Sequence, residues 1–533
     1  MSGIPNVFDG VIIGGGHNGL VTAAYLAASG LKIGVFETLD TVGGAMCTRS
    51  SSLGTFHNLH AVHLKFHLGP IYQDLHLREL GVRLIFPKVK IASLYHDGTA
   101  LVVYSHLAAT CESIARLSKP DAVVFERESR TWQDWNRRFV IPEIYNSPEP
   151  PSIREARLNE ESGGREYLAV SKMTPRDYVT ALFKDPRVSS IVLWAFMAQG
   201  YMPDYPGISP VAFFTALSAL TEPMAICSGG SAEIPKALKQ FIVQHGGSVF
   251  EDRAVISIVT TGNAATGVVL SDMEEVTATH FVASAVNTHT TFFKLLGESK
   301  IPQPLANSLR GIEFDEWTLF GVHLALAEPP RHLAARDLPD VDLALKYLIQ
   351  GDPEEALYGD ALLRQGLLRN TPQLGAGCLS RHDPALAPPG LHSAYLWEAV
   401  PFRLANGGLQ RWAEIREERM DTCLEHWRRY APNVNDQNIM TKFAYSPVEI
   451  ASDMPNLVLG GLNVGGRITP NQSGYLRPTP ELSHYRTPIA RLYMCGASCH
   501  PGGGATGAPG YNAANVIAED LGTTIWWRPF RLY

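Results

Sequence analysis

The sequence predicts an α/β fold built on a Rossmann-type β-α-β unit shaped to bind a dinucleotide. Three observations predict it. Near the start, the glycine-rich turn in VIIGGGHNGL (Val11–Leu20) joins an apolar run to a helix of small residues. A second unit of helix followed by strands begins in mid-chain at SAEIPKALKQFIVQHGG, and a third apolar run and helix, RLYMCGAS and YNAANVIAEDL, close the chain. At 533 residues the chain is long enough to bury a large core and to divide into two or more interleaved domains.

The first element is FDGVII (Phe8–Ile13), a short apolar run of the kind a strand buried on both faces needs. Gly14, Gly16 and Gly19 follow in the pattern G-x-G-x-x-G, with His17 and Asn18 inside the turn. Gly14 suits the tight turn, Gly16 lets backbone approach a pyrophosphate, and Gly19 lets helix and strand pack closely. The helix then runs through LVTAAYLAASG (Leu20–Gly30), with Gly30 able to end it in the left-handed region. KIGVFE returns as a second strand whose last residue, Glu37, is placed to accept hydrogen bonds from ribose hydroxyls. This β-α-β context turns a weak motif into a specific one. The doublet Gly43-Gly44, followed by Ala45, offers a second close approach to an extended cofactor and favours FAD over NAD.

In mid-chain, Ser231–Gly247 reads as a helix with a serine N-cap and a Gly-Gly stop, followed by a strand, a small meander with turns at Gly262-Asn263 and Ser271-Asp272, and a return strand. Near the end, Gly502, Gly504 and Gly507 repeat the G-x-G-x-x-G spacing. They stand several residues beyond the strand, however, and Pro509 precedes the expected helix Tyr511–Leu521. A dinucleotide turn joins strand to helix directly. The sequence therefore predicts one cofactor held at both ends of the chain, with the second glycine loop and its helix N-terminus facing the negative charge of a reduced flavin.

Bulk properties narrow the remaining classes. A net charge of -7, with 18% charged residues, leaves no electrostatic footprint for nucleic acid. No leader pattern, membrane-length apolar run or disulfide framework is read from the sequence, so a cytoplasmic setting is expected. His57, His60, His63 and His67 lack a cysteine or carboxylate to complete a metal site, and no metal is assigned; they are expected near the cofactor or substrate. Pro142–Tyr167 reads as a linker or mobile loop. The aromatic segments WQDWNRRF and YMPDYPGISPVAFF are expected to pack in the core or line an apolar channel. The tail carries Trp526, Trp527, Phe530 and Tyr533 interleaved with Arg528 and Arg531. Packing on the fold or a second subunit is the expected fate of that tail, and a peripheral membrane contact is the alternative.

VIIGGGHNGLVTAAYLA, VGGAM, GGSAEIPKAL, VASAVNTHTTF, DPALAPPG and YRTPIARLYMCGASCHPGGGATGAPGYNAA together resemble the phytoene desaturase-like FAD oxidoreductases. That family includes carotenoid desaturases, carotenoid isomerases and the animal pyridine nucleotide-disulfide oxidoreductase domain-type proteins, and the likeness is greater to the animal-type branch. It implies a Rossmann-type FAD-binding domain of the amine oxidase/phytoene desaturase group with an α+β substrate domain inserted in two pieces. The implied division is FAD-binding at 1–75, 226–295 and 456–533, and substrate domain at 76–225 and 296–455. It also implies that Val255 meets the adenine and that Gly496, Gly507 and Ala508 lie along the ribityl chain and flavin ring. Where many relatives carry an acid after the glycine matching Gly496, this chain has Ala497 and Ser498.

The function expected is FAD-dependent dehydrogenation or oxidation, with a hydride leaving a C–H bond of a small to medium, largely apolar substrate for flavin N5. Flavin-dependent isomerisation without net oxidation and a flavin-bearing interaction protein are the alternatives. The electron acceptor stays open among oxygen, a quinone and a protein. His500, between the last strand and the glycine loop, is the candidate acid-base residue, its other reading being a loop pin through a backbone hydrogen bond.

Overall fold

The computed structural model describes residues 6–198, 200–315, 317–358, 361–457 and 466–530. Five strands run parallel in the spatial order Ser248–Phe250, Ile33–Phe36, Val7–Ile13, Glu275–Ser284 and Leu492–Met494. Ile33–Phe36 is buried along its whole length, as a parallel strand covered on both faces requires. On the edge away from Val7–Ile13 the long strand Glu275–Ser284 serves two partners: its first half pairs antiparallel with Ala264–Leu270, which pairs in turn with Val255–Thr261, and its second half pairs parallel with Leu492–Met494. One strand thereby ties the mid-chain unit to the C-terminal unit.

The helix His17–Ala28 packs on this sheet between the helices Glu233–Gln244 and Ala508–Leu521, buried from Asn18 to Ala27. Small residues are needed at its crossing with the closing helix, because a Cβ on Gly510 would stand 2.1 Å from the Asn18 carbonyl oxygen. Thr22 Oγ1 donates to Gly510 O at 3.0 Å and closes the same crossing.

A second sheet has the order Ile439–Tyr445, Trp317–Leu326, His392–Pro401, Leu374–Cys378, Lys346–Gly351, Val89–Tyr95, Ala100–Tyr104. All neighbours are antiparallel except Lys346–Gly351 and Val89–Tyr95. Helices between residues 107 and 221 cover its near end, with Trp132 and Trp135 buried among them. No helix among the described residues is long and apolar enough to cross a membrane.

Several local expectations are corrected. Pro142–Tyr167 is not a linker: it folds into the helices Pro151–Glu160 and Gly164–Ser171. Buried Glu143 draws them in, accepting from Arg154 Nε at 2.8 Å, Arg157 Nη2 at 3.2 Å and Tyr167 Oη at 3.4 Å. The closing helix begins at Ala508, not Tyr511, because proline in a first turn lacks only an N–H that has no intrahelical acceptor. The mid-chain helix runs over Glu233–Gln244 with Ala232 at its N-cap. Ser231 instead reaches Asn58 Oδ1 from both its amide and its hydroxyl.

The aromatic tail packs on the chain's own first helix. Trp526 stacks on Tyr25 at 5.5 Å between ring centroids, and Trp527 Nε1 donates to Asn515 Oδ1 at 2.7 Å. Phe530 is packed against the same core, while Arg531 and Tyr533 lie outside the described residues.

Candidate active site

The glycine turn forms an open cradle at the end of the first strand. Gly14 holds φ +92°, where a side chain is strained, and its N–H donates to Phe36 O at 2.8 Å. A Cβ on Gly19 would come within 2.3 Å of Gly14 O and 2.9 Å of Ala285 Cβ, so this glycine is fixed by packing. Gly16 is different: a Cβ there would meet nothing within 4 Å. It is also the N-cap of the helix His17–Ala28, with no side-chain cap and no acid in the first turn. Free helix N–H groups beside an empty volume suit a pyrophosphate. Asn18 Oδ1 is buried there without a partner among the described residues.

The doublet closes the other wall of the cradle. Gly43 (φ +125°) donates to Gly15 O at 2.9 Å, and a Cβ on Gly44 would stand 3.4 Å from Gly16 Cα. Glu37 sits behind, its Oε2 accepting from Gly15 N at 2.7 Å and its Oε1 from Leu39 N at 3.0 Å. Burial pushes this carboxyl up, opposed in part by those amides. Arg253 N donates to Glu37 O at 2.8 Å, which brings Val255, two residues on, to the same edge. Gly496 is required where its strand ends, since a Cβ would lie 2.2 Å from Ala285 O. Gly507, at φ +72°, caps the closing helix, and Ala508 is fully buried behind it, its N–H donating to Thr506 Oγ1 at 3.1 Å. The open volume beside Gly16 and Gly44 fits the pyrophosphate of an FAD molecule.

Where the cradle meets the second sheet lies a cavity of about 300 Å³, bordered by His17, Ala45, Ala497 and Gly503–Ala505 on one side and by the strands of the antiparallel sheet on the other. Its walls are mostly apolar, with Trp194, Met197, Trp317, Leu348 and Trp397 among them. His60, His63 and His67 line it from a loop and a short 3-10 turn rather than from one helix face. Burial pushes His17 and His60 down to about 4, so both are neutral near pH 7.

His500 lies elsewhere. Its ring borders a separate cavity of about 230 Å³ together with Glu143, Arg154 and Ser473. Nε2 donates to Glu143 O at 2.7 Å, and burial pushes the imidazole down to about 4. Cys495 and Cys499 are buried thiols, and all seven cysteines are free.

Sequence reasoning missed two lysines. Lys65 Nζ reaches Gly504 O at 3.4 Å, and Lys346 Nζ stands 4.4 Å from the Trp194 ring centroid; both line the cavity. Burial pushes them down, Lys65 to about 8 and Lys346 to about 7, the latter helped by Lys65. The signal was present in LALKYLIQG, where one charge interrupts an apolar strand.

The model of a family described as flavin containing amine oxidoreductase matches residues 19–517. One subunit of the limonene dehydrogenase of Castellaniella defragrans is 31% identical over 545 residues, covering 97% of this chain and 96% of its own. Pyridine nucleotide-disulfide oxidoreductase domain-containing protein 2 of Mus musculus is 28% identical over 565 residues, covering 96% and 94%. Among solved structures, an oxidoreductase from Methanosarcina mazei matches with a TM-score of 0.61 at 17% identity, over 96% of this chain and 99% of that one, a likeness of fold.

Proposed function

The chain belongs to the flavin containing amine oxidoreductases, and from that premise we propose that it removes a hydride from a C–H bond of a small, largely apolar molecule seated in the 300 Å³ cavity. It is an FAD-dependent oxidoreductase. The observation that carries the substrate reading is the meeting of the glycine cradle with an apolar chamber at the low end of ligand-cleft volumes. The relative named for limonene favours the same chemistry of substrate, and its name favours net oxidation over isomerisation or a turnover-free interaction role.

Bound FAD supplies the hydride acceptor. In this reading Gly14, Gly16, His17, Asn18 and Gly19 hold the pyrophosphate, Glu37 and Val255 the adenosine half, and Gly43, Gly44, Ala45, Gly496, Gly507 and Ala508 the remainder. Residues 1–75, 226–295 and 456–533 carry the cofactor, and 76–225 and 296–455 shape the chamber. Trp194, Trp317 and Leu348 exclude water and position the substrate body. In the same reading His500 pins the loop through its hydrogen bond to Glu143 O, since the residue borders the other cavity. A cytoplasmic setting is supported by the seven unpaired cysteines.

The test has two stages. Chromatography of the released cofactor should give FAD. Anaerobic mixing of the loaded protein with a panel of terpenoids, cyclic amines, alicyclic alcohols and alicyclic carboxylates should bleach the flavin with at least one compound. A flavin that dithionite reduces and every panel member leaves oxidised contradicts the proposed function.

A further inference from the structure

The chamber is apolar in area but one-sided in its polar groups. Among the described residues lining it there is no aspartate or glutamate, whereas Lys65, Lys346 and Arg369 all border it. Among its buried polar atoms, Trp317 Nε1 and Trp397 Nε1, groups that only donate, have no acceptor among the described residues. Buried donors without acceptors are rare in folded chains and call for an explanation.

Lys346 is the centre of this set. It stands on the chamber face of the antiparallel sheet, diagonal to Gly375, which pairs with Leu348 on the lysine's own strand and with Trp397 on the next. A Cβ on Gly375 would come within 2.9 Å of Lys346 Cε and 3.3 Å of Nζ, so the glycine clears the path along which the lysine reaches across. Nζ ends 4.4 Å from the Trp194 ring and 5.9 Å from the Trp397 ring. No hydrogen bond or ion pair to Nζ is present among the described residues. A buried ammonium without a counter-charge is costly, and a strand core favours an apolar residue in its place. The lysine therefore has a use that its own fold does not supply.

Resting on the reading of this cavity as the substrate chamber, we propose that the substrate is an apolar body ending in one carboxylate, which pairs with Lys346 between Trp194 and Trp397. The two indole rings favour the ammonium electrostatically through their faces and give the apolar body its walls. The carboxylate supplies an acceptor beside Trp397, whose Nε1 has none among the described residues. An ammonium substrate meets like charge at Lys65, Lys346 and Arg369 here.

The test uses the FAD-loaded full chain and three probes of similar shape and different charge: cyclohexanecarboxylate, cyclohexylmethanol and cyclohexylmethylamine. Binding is read from the perturbation of the flavin absorbance and needs no turnover. The carboxylate is expected to bind at least tenfold more tightly than either other probe. K346M should lose that preference, with the alcohol's affinity within about threefold of its original value, and K346R should keep it, because charge rather than shape is read. A side chain that only packs would not change charge selectivity in this way. Equal binding of the three probes, preference for the amine, no binding of the carboxylate, or an unchanged preference in K346M overturns the proposal. The wild-type series decides even where a variant fails to fold. These outcomes are separate from the proposed function, which stands or falls on whether the panel compounds reduce the flavin.

Discussion

The cofactor cradle and the chamber beside it are built from different material. Around Gly14–Gly19 and Gly43–Gly44 the working surface is backbone: helix N–H groups, left-handed glycines and a volume that no side chain enters. In the chamber the working surface is side chains, brought from residues as far apart as His17 and Ala505. Backbone surfaces demand particular residues at short spacing, and side-chain surfaces demand only that each strand and helix present the right face. The first writes a motif into the sequence and the second does not.

The largest effects should come from the cradle, where two glycines of one motif are expected to fail differently. G16V should give a folded protein without FAD, since the branched side chain enters the open volume beside the helix N-terminus. G19V should not fold, since its side chain meets Gly14 O and Ala285. Flavin absorbance per protein and circular dichroism separate the two. A G16V protein that keeps its flavin breaks the distinction between cradle and chamber.

The antiparallel sheet offers a matching pair on neighbouring strands. Lys90 and Lys346 are both buried, and burial pushes both down to about 7. Lys90 Nζ donates to Leu220 O at 2.9 Å and Glu222 O at 3.1 Å, so its cost is met by the fold. K90M should therefore lose about 2 kcal/mol, the penalty for carbonyls left without donors. K346M should melt at or above the wild-type temperature. Thermal melts of the two loaded variants check this, and equal losses would erase the difference between a structural and a waiting lysine.

Much of the cradle was legible because its elements are local. The first strand, helix and return strand, the acid at Glu37 and the mid-chain unit all lie where the pattern of apolar runs and glycines puts them, within a few residues. The start of the last helix was misread because Pro509 looks like a breaker but sits in a first turn. Pro142–Tyr167 was misread because its polar residues are held by one buried carboxylate, Glu143, a partner that only tertiary packing supplies. Lys346 and Trp397 come together through Gly375, across three strands whose pairing no local signal announces.

Smaller effects are expected beyond both regions. H500Q should hold FAD and reduce its flavin within about twofold of wild type, because the ring serves a backbone carbonyl. Its buried imidazole, pushed down to about 4 from 6.5, binds a proton more readily in the unfolded chain, so its contribution is present above about 6.5 and lost as pH falls toward 4. His57 and His426, also near 4, act in the same direction. Melting temperature should fall over that window, and less steeply in H500Q; an unchanged slope would place the proton elsewhere. W526A should cost only about 1 kcal/mol, the scale of one aromatic pair, since Trp526 is 40% exposed on its stack with Tyr25. No loss in its denaturant midpoint would mean that the tail packing adds nothing to stability.

The separation of the two jobs is tested most directly by filling the chamber and leaving the cradle intact. In G375F the new ring displaces the flexible end of Lys346 and occupies the space between Trp194 and Trp397. FAD content and anaerobic reduction by dithionite are measured beside anaerobic reduction by the panel compound that reduces the wild-type flavin fastest. The variant should keep its FAD and its response to dithionite while reduction by the organic compound slows at least a hundredfold. An undiminished rate with that compound, or loss of FAD from the variant, would contradict the account.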